Sequence, residues 1–290
     1  MEFFDRLKKL LRFILLTLIS ISTLILISGI PYLVNATGGS WAAYLKGLQY
    51  TALSMFHPDE MIFINQGNPG LLFPYIWEPL GNTFFLLSSS FAISVVLAVG
   101  LSLLIQSLPE ALKKVAVDVV SLTQSLPDIF IVVIFQFLII WWYQRTGILL
   151  ASVASTSQNT ALLLPLVSLC ILPTALIIKM LLLNFADEKN QLYTEFAASK
   201  GLSKFHILFH HVLRNTLFSL FTHSRTIIWA ILSNVLMVEY LFNIHGMTRF
   251  LVEYANPEIF NFILIMLFLP LLFLFKFLKI WISKVTGETV

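Results

Sequence analysis

The chain has 290 residues, of which 58% are hydrophobic and 11% charged, and its mean hydropathy is +0.88. A soluble domain carries roughly twice that charge, so lipid rather than water must solvate most of the surface. A net charge of +3 argues against nucleic acid as a partner, and the single Cys170 excludes an intrachain disulfide or a cysteine-based metal cluster.

A helix needs about 20 apolar residues to cross a bilayer. Six runs qualify, at about 11–30, 82–105, 117–142, 161–183, 217–242 and 259–282. The sequence thus predicts an all-α polytopic membrane protein with six transmembrane helices. The first run follows Arg6, Lys8, Lys9 and Arg12 and has an apolar core from Phe13 to Ile30. That core is longer than a secretory signal's, and no small-x-small cleavage site follows, so an uncleaved anchor is expected.

Between the first two runs, residues 31–78 carry Gly38-Gly39, Pro58, Pro69-Gly70 and Pro74. They read as an ordered extracytoplasmic loop or small cap; the Asn35 triplet is a formal glycosylation sequon of a kind frequent by chance. The expected division is 1–30 for the cytoplasmic N-terminus and first helix, 31–78 for the outer segment, and 79–290 for a five-helix core. Lysines and arginines set the orientation. With the amino terminus inside, only Lys46, Arg145 and Arg249 fall outside, and the other 15 of the 18 lie at or near the cytoplasmic side. That asymmetry predicts both termini in the cytoplasm. It also puts Lys179 and Arg225 at inner span ends, where they snorkel rather than meet the cost of about 2.5–3.5 kcal/mol at mid-bilayer.

In the third run, Asp128 lies about ten residues in, or about 15 Å along a continuous helix, near the bilayer midplane. Two readings stand: a cap on amides freed by Pro127, or a wall of a translocation route that favours a cationic or amine-bearing solute. Gln124, Gln136 and Asn234 are intramembrane amides that either bridge helices or line that route. Trp141-Trp142-Tyr143 reads as an interfacial belt.

Between the fourth and fifth runs comes the polar stretch EFAASKGLSKFHILFHHVLRN, Glu195 to Asn215, with three of the six histidines. It falls in a cytoplasmic loop of about 185–216. Residues 190–200 suit a short helix, Gly201 suits a left-handed C′ position, and Ser203 suits the cap of a second helix. In that second helix Phe205, Leu208, Phe209, Val212 and Leu213 share one face. Ala197, Ala198, Ser199 and Gly201 are small enough to let another protein approach, so the stretch reads as a docking elbow. His206 and His210 share a helical face and raise a metal reading; without a carboxylate or cysteine at ligand distance, solvated loop histidines are the simpler account.

"EFAASKGLS" with "HVLRN" resembles the EAA loop of binding-protein-dependent ABC transporter permeases of the peptide/nickel class. "LGNTFFLL" (80–87), "SLPDIFIVVI" (125–134), "LLLPLVSLCILPTALI" (162–177) and "VEYLFNIHGMTRFLVEYA" (238–255) are similar to that family's blocks, in order. The resemblance implies a type I ABC importer permease fold in a bacterial inner membrane, probing a cleft of a cytoplasmic ATPase with a coupling helix. By it, Glu195, Ala197, Ala198, Gly201 and Leu202 form the docking loop, His211, Arg214 and Asn215 support it, and Glu239 takes a structural role at an outer gate. It implies a second homologous permease, two ATPase subunits that hold ATP and Mg²⁺, and an extracytoplasmic substrate-binding protein. The chain has no Gly-x-x-x-x-Gly-Lys-Ser/Thr loop, so no cofactor is expected within it. Peptides are the expected cargo, with nickel or a metal chelate as the alternative and an ion-coupled secondary transporter as the rival. Ser219 stands where the family often has proline, His245-Gly246 where it has Pro-Gly, and no PGDP-like block follows the first run.

Overall fold

The computed structural model describes residues 2–34, 40–65, 68–156, 159–254 and 256–286. Asn35 and Gly38-Gly39 lie outside them. The described chain is mostly helical and divides into two compact units, one of residues 1–81 with 246–273, the other of 82–245 with 274–290.

The first unit begins with α1 (Glu2–Ser28), α2 (Ile30–Val34) and α3 (Trp41–Ser54). Two glycines allow this helical turn to close. A Cβ on Gly29 would lie 2.6 Å from Leu48, and one on Gly47 would lie 2.4 Å from Tyr32. The Tyr44 hydroxyl donates to the Leu26 carbonyl at 3.1 Å and ties α3 back to α1.

A single 3-10 turn (Pro58–Glu60) leads into a hairpin of β1 (Ile62–Asn65) and β2 (Asn68–Leu71), antiparallel, with Ile62 opposite Leu71 and Ile64 opposite Pro69. This hairpin lies within residues 31–78, which the sequence reads as an ordered loop or small cap, and adds a short sheet to an otherwise helical class. Three consecutive β-formers, Ile62, Phe63 and Ile64, are followed by Pro69-Gly70, which bars a helix. Phe63 turns inward, and its ring sits 4.9 Å from Tyr75, 5.5 Å from Phe250 and 5.1 Å from Tyr254. Those partners come from α4 (Leu72–Tyr75) and from α12 (Met247–Glu253) with the residue after it.

The second unit holds most of α5 (Trp77–Ser107), then α6 (Glu110–Ser125), α7 (Asp128–Thr146), α8 (Leu163–Lys189), α9 (Leu192–Ser199), α10 (Lys204–Ile207) and α11 (Leu213–Leu241). The last helix, α13 (Pro257–Thr286), opens with proline in its first turn, where the missing N–H costs nothing. In the second unit α8 is the hub, packing most extensively on α11 and then on α6 and α7. Ser90, Ser94, Ala98 and Ser102 form a fully buried small-residue stripe on α5 at one-turn spacing. Ser94 donates to the Cys170 carbonyl at 3.2 Å, and the Cys170 thiol points to the Ser90 carbonyl at 3.5 Å. Cys170 is a packing residue.

The predicted third run, 117–142, is not one helix. Leu126 is extended (φ −79°, ψ 137°) because the following proline disfavours the helical region for it, and α7 restarts at Asp128. Asp128 is therefore the first residue of an apolar helix and not ten residues into one. Nor does it cap that helix: the N-cap is Pro127, and Asp128 lies in the first turn, where its negative charge suits the helix dipole. α7 ends at Gly147, whose φ of +71° closes the C-terminus.

Among the described residues, four helices are long and apolar enough to cross a membrane: α5, α7, α8 and Pro257–Phe277 of α13. Within α1 the apolar stretch Ile14–Ile27 is shorter, and α11, at 29 residues, carries Arg225 and Glu239 among its apolar positions. The chain is a multi-pass membrane protein.

Candidate coupling site

Four segments build the polar elbow: the end of α8, α9, the turn around Gly201, and the start of the helical run leading into α11. In α9, Thr194 and Ala197 are buried (each 6% exposed), whereas Leu192 is 82% and Phe196 62% exposed. Leu192 and Phe196 are four apart and share a helical face. Glu195, Ala198 and Ser199 are also exposed, and the Lys200 ammonium lies 4.4 Å from the Phe196 ring centroid. α9 thus holds an apolar pair outward beside a glutamate and small residues.

The turn after α9 is a Schellman motif. The Gly201 amide donates to the Ala198 carbonyl (2.9 Å), and the Leu202 amide to the Ala197 carbonyl (3.4 Å), with Gly201 at φ +79°. Ser203 then accepts from the His206 amide at 3.3 Å as an N-cap. A Cβ at Gly201 would meet nothing within 4 Å, so the glycine serves backbone conformation alone. Gly201→Val should destabilise the elbow by about 2 kcal/mol, whereas Gly201→Asn should be tolerated; hydrogen exchange of residues 192–202 reads the difference.

Beyond the cap, α10 passes into a π turn (Leu208–Val212) before α11, a widening often found at functional positions. His206 and His210 stack with ring centroids 4.2 Å apart, and His211 lies 6.2 Å from His206; all three are exposed. Among the described residues, no group of three or more metal-ligating side chains is placed to hold an ion.

The loop is fastened by a clasp that sequence reasoning found only in part. Asn215 donates to Glu188 Oε2 at 3.3 Å, and the Tyr193 hydroxyl donates to the same oxygen. One turn away, Asn184 donates to the Ser219 hydroxyl at 3.0 Å. Ser219, in the position where the resembled family often has proline, thus supplies an acceptor that proline lacks. Thr194 donates to the Lys189 carbonyl at 2.8 Å and to the Gln191 carbonyl at 2.6 Å. Of the predicted supports, Asn215 joins the clasp, while His211 and Arg214 are exposed. Asn184, Glu188, Tyr193 and Thr194 were missed. The available signal was the one-turn spacing of Asn184 and Glu188 just before the loop.

Burial, with the Glu188 carboxylate beside it, pushes the Tyr193 hydroxyl up to about 12. A raised tyrosine pKa contributes stability that is fully present below the ordinary value of 10 and is lost as pH rises through about 12. A tyrosinate absorbance titration compared with Tyr193→Phe should therefore lose one late-titrating group.

The predicted pathway residues do not gather into one cluster. Gln136 donates from Nε2 to the carbonyls of Val153 (3.0 Å) and Leu241 (3.1 Å), which ties Val153 to the last residue of α11. Gln124, Asp128 and Asn234 are half-buried, with Gln124 and Asp128 flanking the Leu126-Pro127 break. Glu239 is fully buried and accepts from the Thr83 hydroxyl at 2.5 Å, joining α11 to α5. Just beyond it a second Schellman motif ends α11, with Asn243 at φ +54° and the Ile244 amide on the Glu239 carbonyl at 2.8 Å.

The short helix α9, with its exposed apolar pair, thus lies between the long helices α8 and α11 of a multi-pass chain. Residues 90–284 match the family of binding-protein-dependent transport system inner membrane components, and the chain belongs to that family. It is similar to the dipeptide transport system permease protein DppB of Bacillus subtilis, at 31% identity over 105 residues, 36% of this chain and 34% of that one. It is also similar to the peptide transport system permease protein SapB of Haemophilus influenzae (29% over 120 residues, 41% and 37%). The putrescine export system permease protein SapB of Escherichia coli K12 is 30% identical over 97 residues, 33% and 30% of the two chains. The matched stretches span about a third of the length of these relatives.

Proposed function

We propose that the chain is one permease half of an ATP-driven ABC importer for peptides, with α9 as the helix that docks on a cytoplasmic ATPase. One observation carries this reading: Leu192 and Phe196 are held outward on an α9 hydrogen-bonded to the end of α8, inside the region that matches the family. Glu195, Ala197, Ala198, Gly201 and Leu202 form the docking loop, and Asn215, with His211 and Arg214, supports it. The full arrangement has six transmembrane helices, α1 and α11 joining the four long apolar ones, with both termini cytoplasmic, a placement supported by the lysine and arginine asymmetry. Residues 1–30 anchor the chain, 31–78 form an extracytoplasmic segment, and 79–290 form the core. A second homologous permease completes the pathway, two ATPase subunits hold ATP and Mg²⁺, and an extracytoplasmic binding protein delivers the solute.

In this reading ATP-driven closure pushes α9, and the two permease halves alternate between inward- and outward-facing states. Asp128 and Gln124, beside the helix break, and Asn234 line the route, while Gln136 braces its wall. Peptide cargo is supported by the names of two relatives, a dipeptide and a peptide permease protein. A polyamine is the second reading, favoured by a relative named for putrescine export and by the carboxylate of Asp128.

Uptake into proteoliposomes by the purified complex tests the proposal. Labelled dialanine should accumulate with ATP and without an ion gradient, and neither Ni²⁺ nor putrescine should compete. Uptake that follows a proton gradient without ATP would contradict it.

A further inference from the structure

Resting on the reading of α9 as the ATPase-docking helix, we propose that Glu188 is a positioning residue that makes α8, α9 and α11 move as one body. Its single oxygen Oε2 accepts from Tyr193 on α9 and from Asn215 on α11, while Glu188 itself stands in the last turn of α8. An ionised carboxylate accepts several donors at once, and such charge-assisted bonds are about twice as strong as neutral ones.

The geometry around it distinguishes a junction from an ordinary surface bond. Asn184 and Glu188 are one turn apart on α8, and their partners Ser219 and Asn215 are one turn apart on α11 in the opposite direction. Two rungs fix both the separation and the axial register of the helix pair, whereas one rung alone is a pivot. The bond from Thr194 to the Lys189 carbonyl reaches only the backbone at the end of α8. Of these bonds, only the one from Tyr193 carries α9 through Glu188 to α11. Removing the carboxylate should leave α8 packed on α11 but loosen α9 relative to α11, so ATP hydrolysis continues while the pathway follows it poorly.

The test uses the complex purified from its native host through a tag on this chain, with spin labels at Gln191→Cys, the exposed N-cap of α9, and His223→Cys in a Cys170→Ala background. The unsubstituted junction should give one narrow α9–α11 distance in each nucleotide state. Glu188→Ala should broaden that distribution about twofold and lower dialanine uptake about tenfold, while ATP hydrolysis stays within about twofold. Glu188→Gln should be intermediate, and Tyr193→Phe, which keeps the ring, should reproduce the broadening; these two carry the test if the alanine variant fails to assemble. Distances as narrow as in the unsubstituted complex, or hydrolysis and uptake falling in the same proportion, would overturn the proposal. A cross-link from Phe196→Cys to the ATPase is read on the same preparations. Its absence in the unsubstituted complex overturns the docking reading and this proposal with it, whereas its presence with unchanged distances overturns the junction alone.

Discussion

Replacing Leu192 and Phe196 together by aspartate should weaken ATPase association about 100-fold or more, with no loss of folded chain from the membrane. Both side chains stand out from α9, and their exposure means that the isolated chain draws little stability from them; surface changes of that kind shift stability by about 0.5 kcal/mol or less. An interface sees them differently. Anchoring apolar side chains at the centre of a contact are each worth about 2 kcal/mol or more when truncated, and a carboxylate in their place adds the cost of desolvating a charge. Co-purification of the ATPase at graded concentrations measures the loss. Glu195→Gln serves as the comparison on the same helix and should have a much smaller effect, because a rim charge contributes mainly to encounter rate.

Glu239→Ala should destabilise the chain by about 2–3 kcal/mol, the cost of deleting one side of a buried hydrogen bond and leaving its partner unsatisfied. Glu239 and Thr83 are each fully buried, and their 2.5 Å contact joins α11 to α5. Glutamine retains an acceptor oxygen, so Glu239→Gln should lose less than half as much. A double-mutant cycle with Thr83→Val isolates the pair: coupled residues should give a double variant little worse than Glu239→Ala alone. Equilibrium unfolding in mixed micelles supplies the values.

The parts of this molecule that were legible in its sequence are those whose physics is local. Gly201 was readable as an elbow because only a residue tolerant of positive φ closes a helix in that way, and Ser203 because a hydroxyl three residues ahead of a free amide caps it. The long apolar spans were readable by length. The break between α6 and α7 was half legible. Pro127 announced a disturbance, but the helix ends at Leu126 and restarts at Asp128, which moves Asp128 from a supposed mid-span position to the end of a helix. The hairpin was not legible, since three β-formers inside a segment rich in proline and glycine give too short a period. Glu188 and Tyr193 escaped for another reason. Their meeting with Asn215 joins residues up to 27 positions apart across three helices, and only the one-turn spacing of Asn184 and Glu188 hints at it. The π turn at Leu208–Val212 has no residue-type signature either. The predicted pathway residues did not gather within the chain: Gln136 bonds to backbone carbonyls, and Gln124 and Asp128 flank the helix break.

The account stands on α9 facing the cytoplasm and touching a nucleotide-hydrolysing subunit there. A single cysteine at Phe196, in a Cys170→Ala background, tests both parts in oriented membranes. It should react with a membrane-impermeant maleimide in inside-out vesicles and not in right-side-out ones, and it should cross-link to the ATPase in the intact transporter. Labelling from the outer face, or an actively transporting complex in which Phe196 contacts no ATPase, would contradict it.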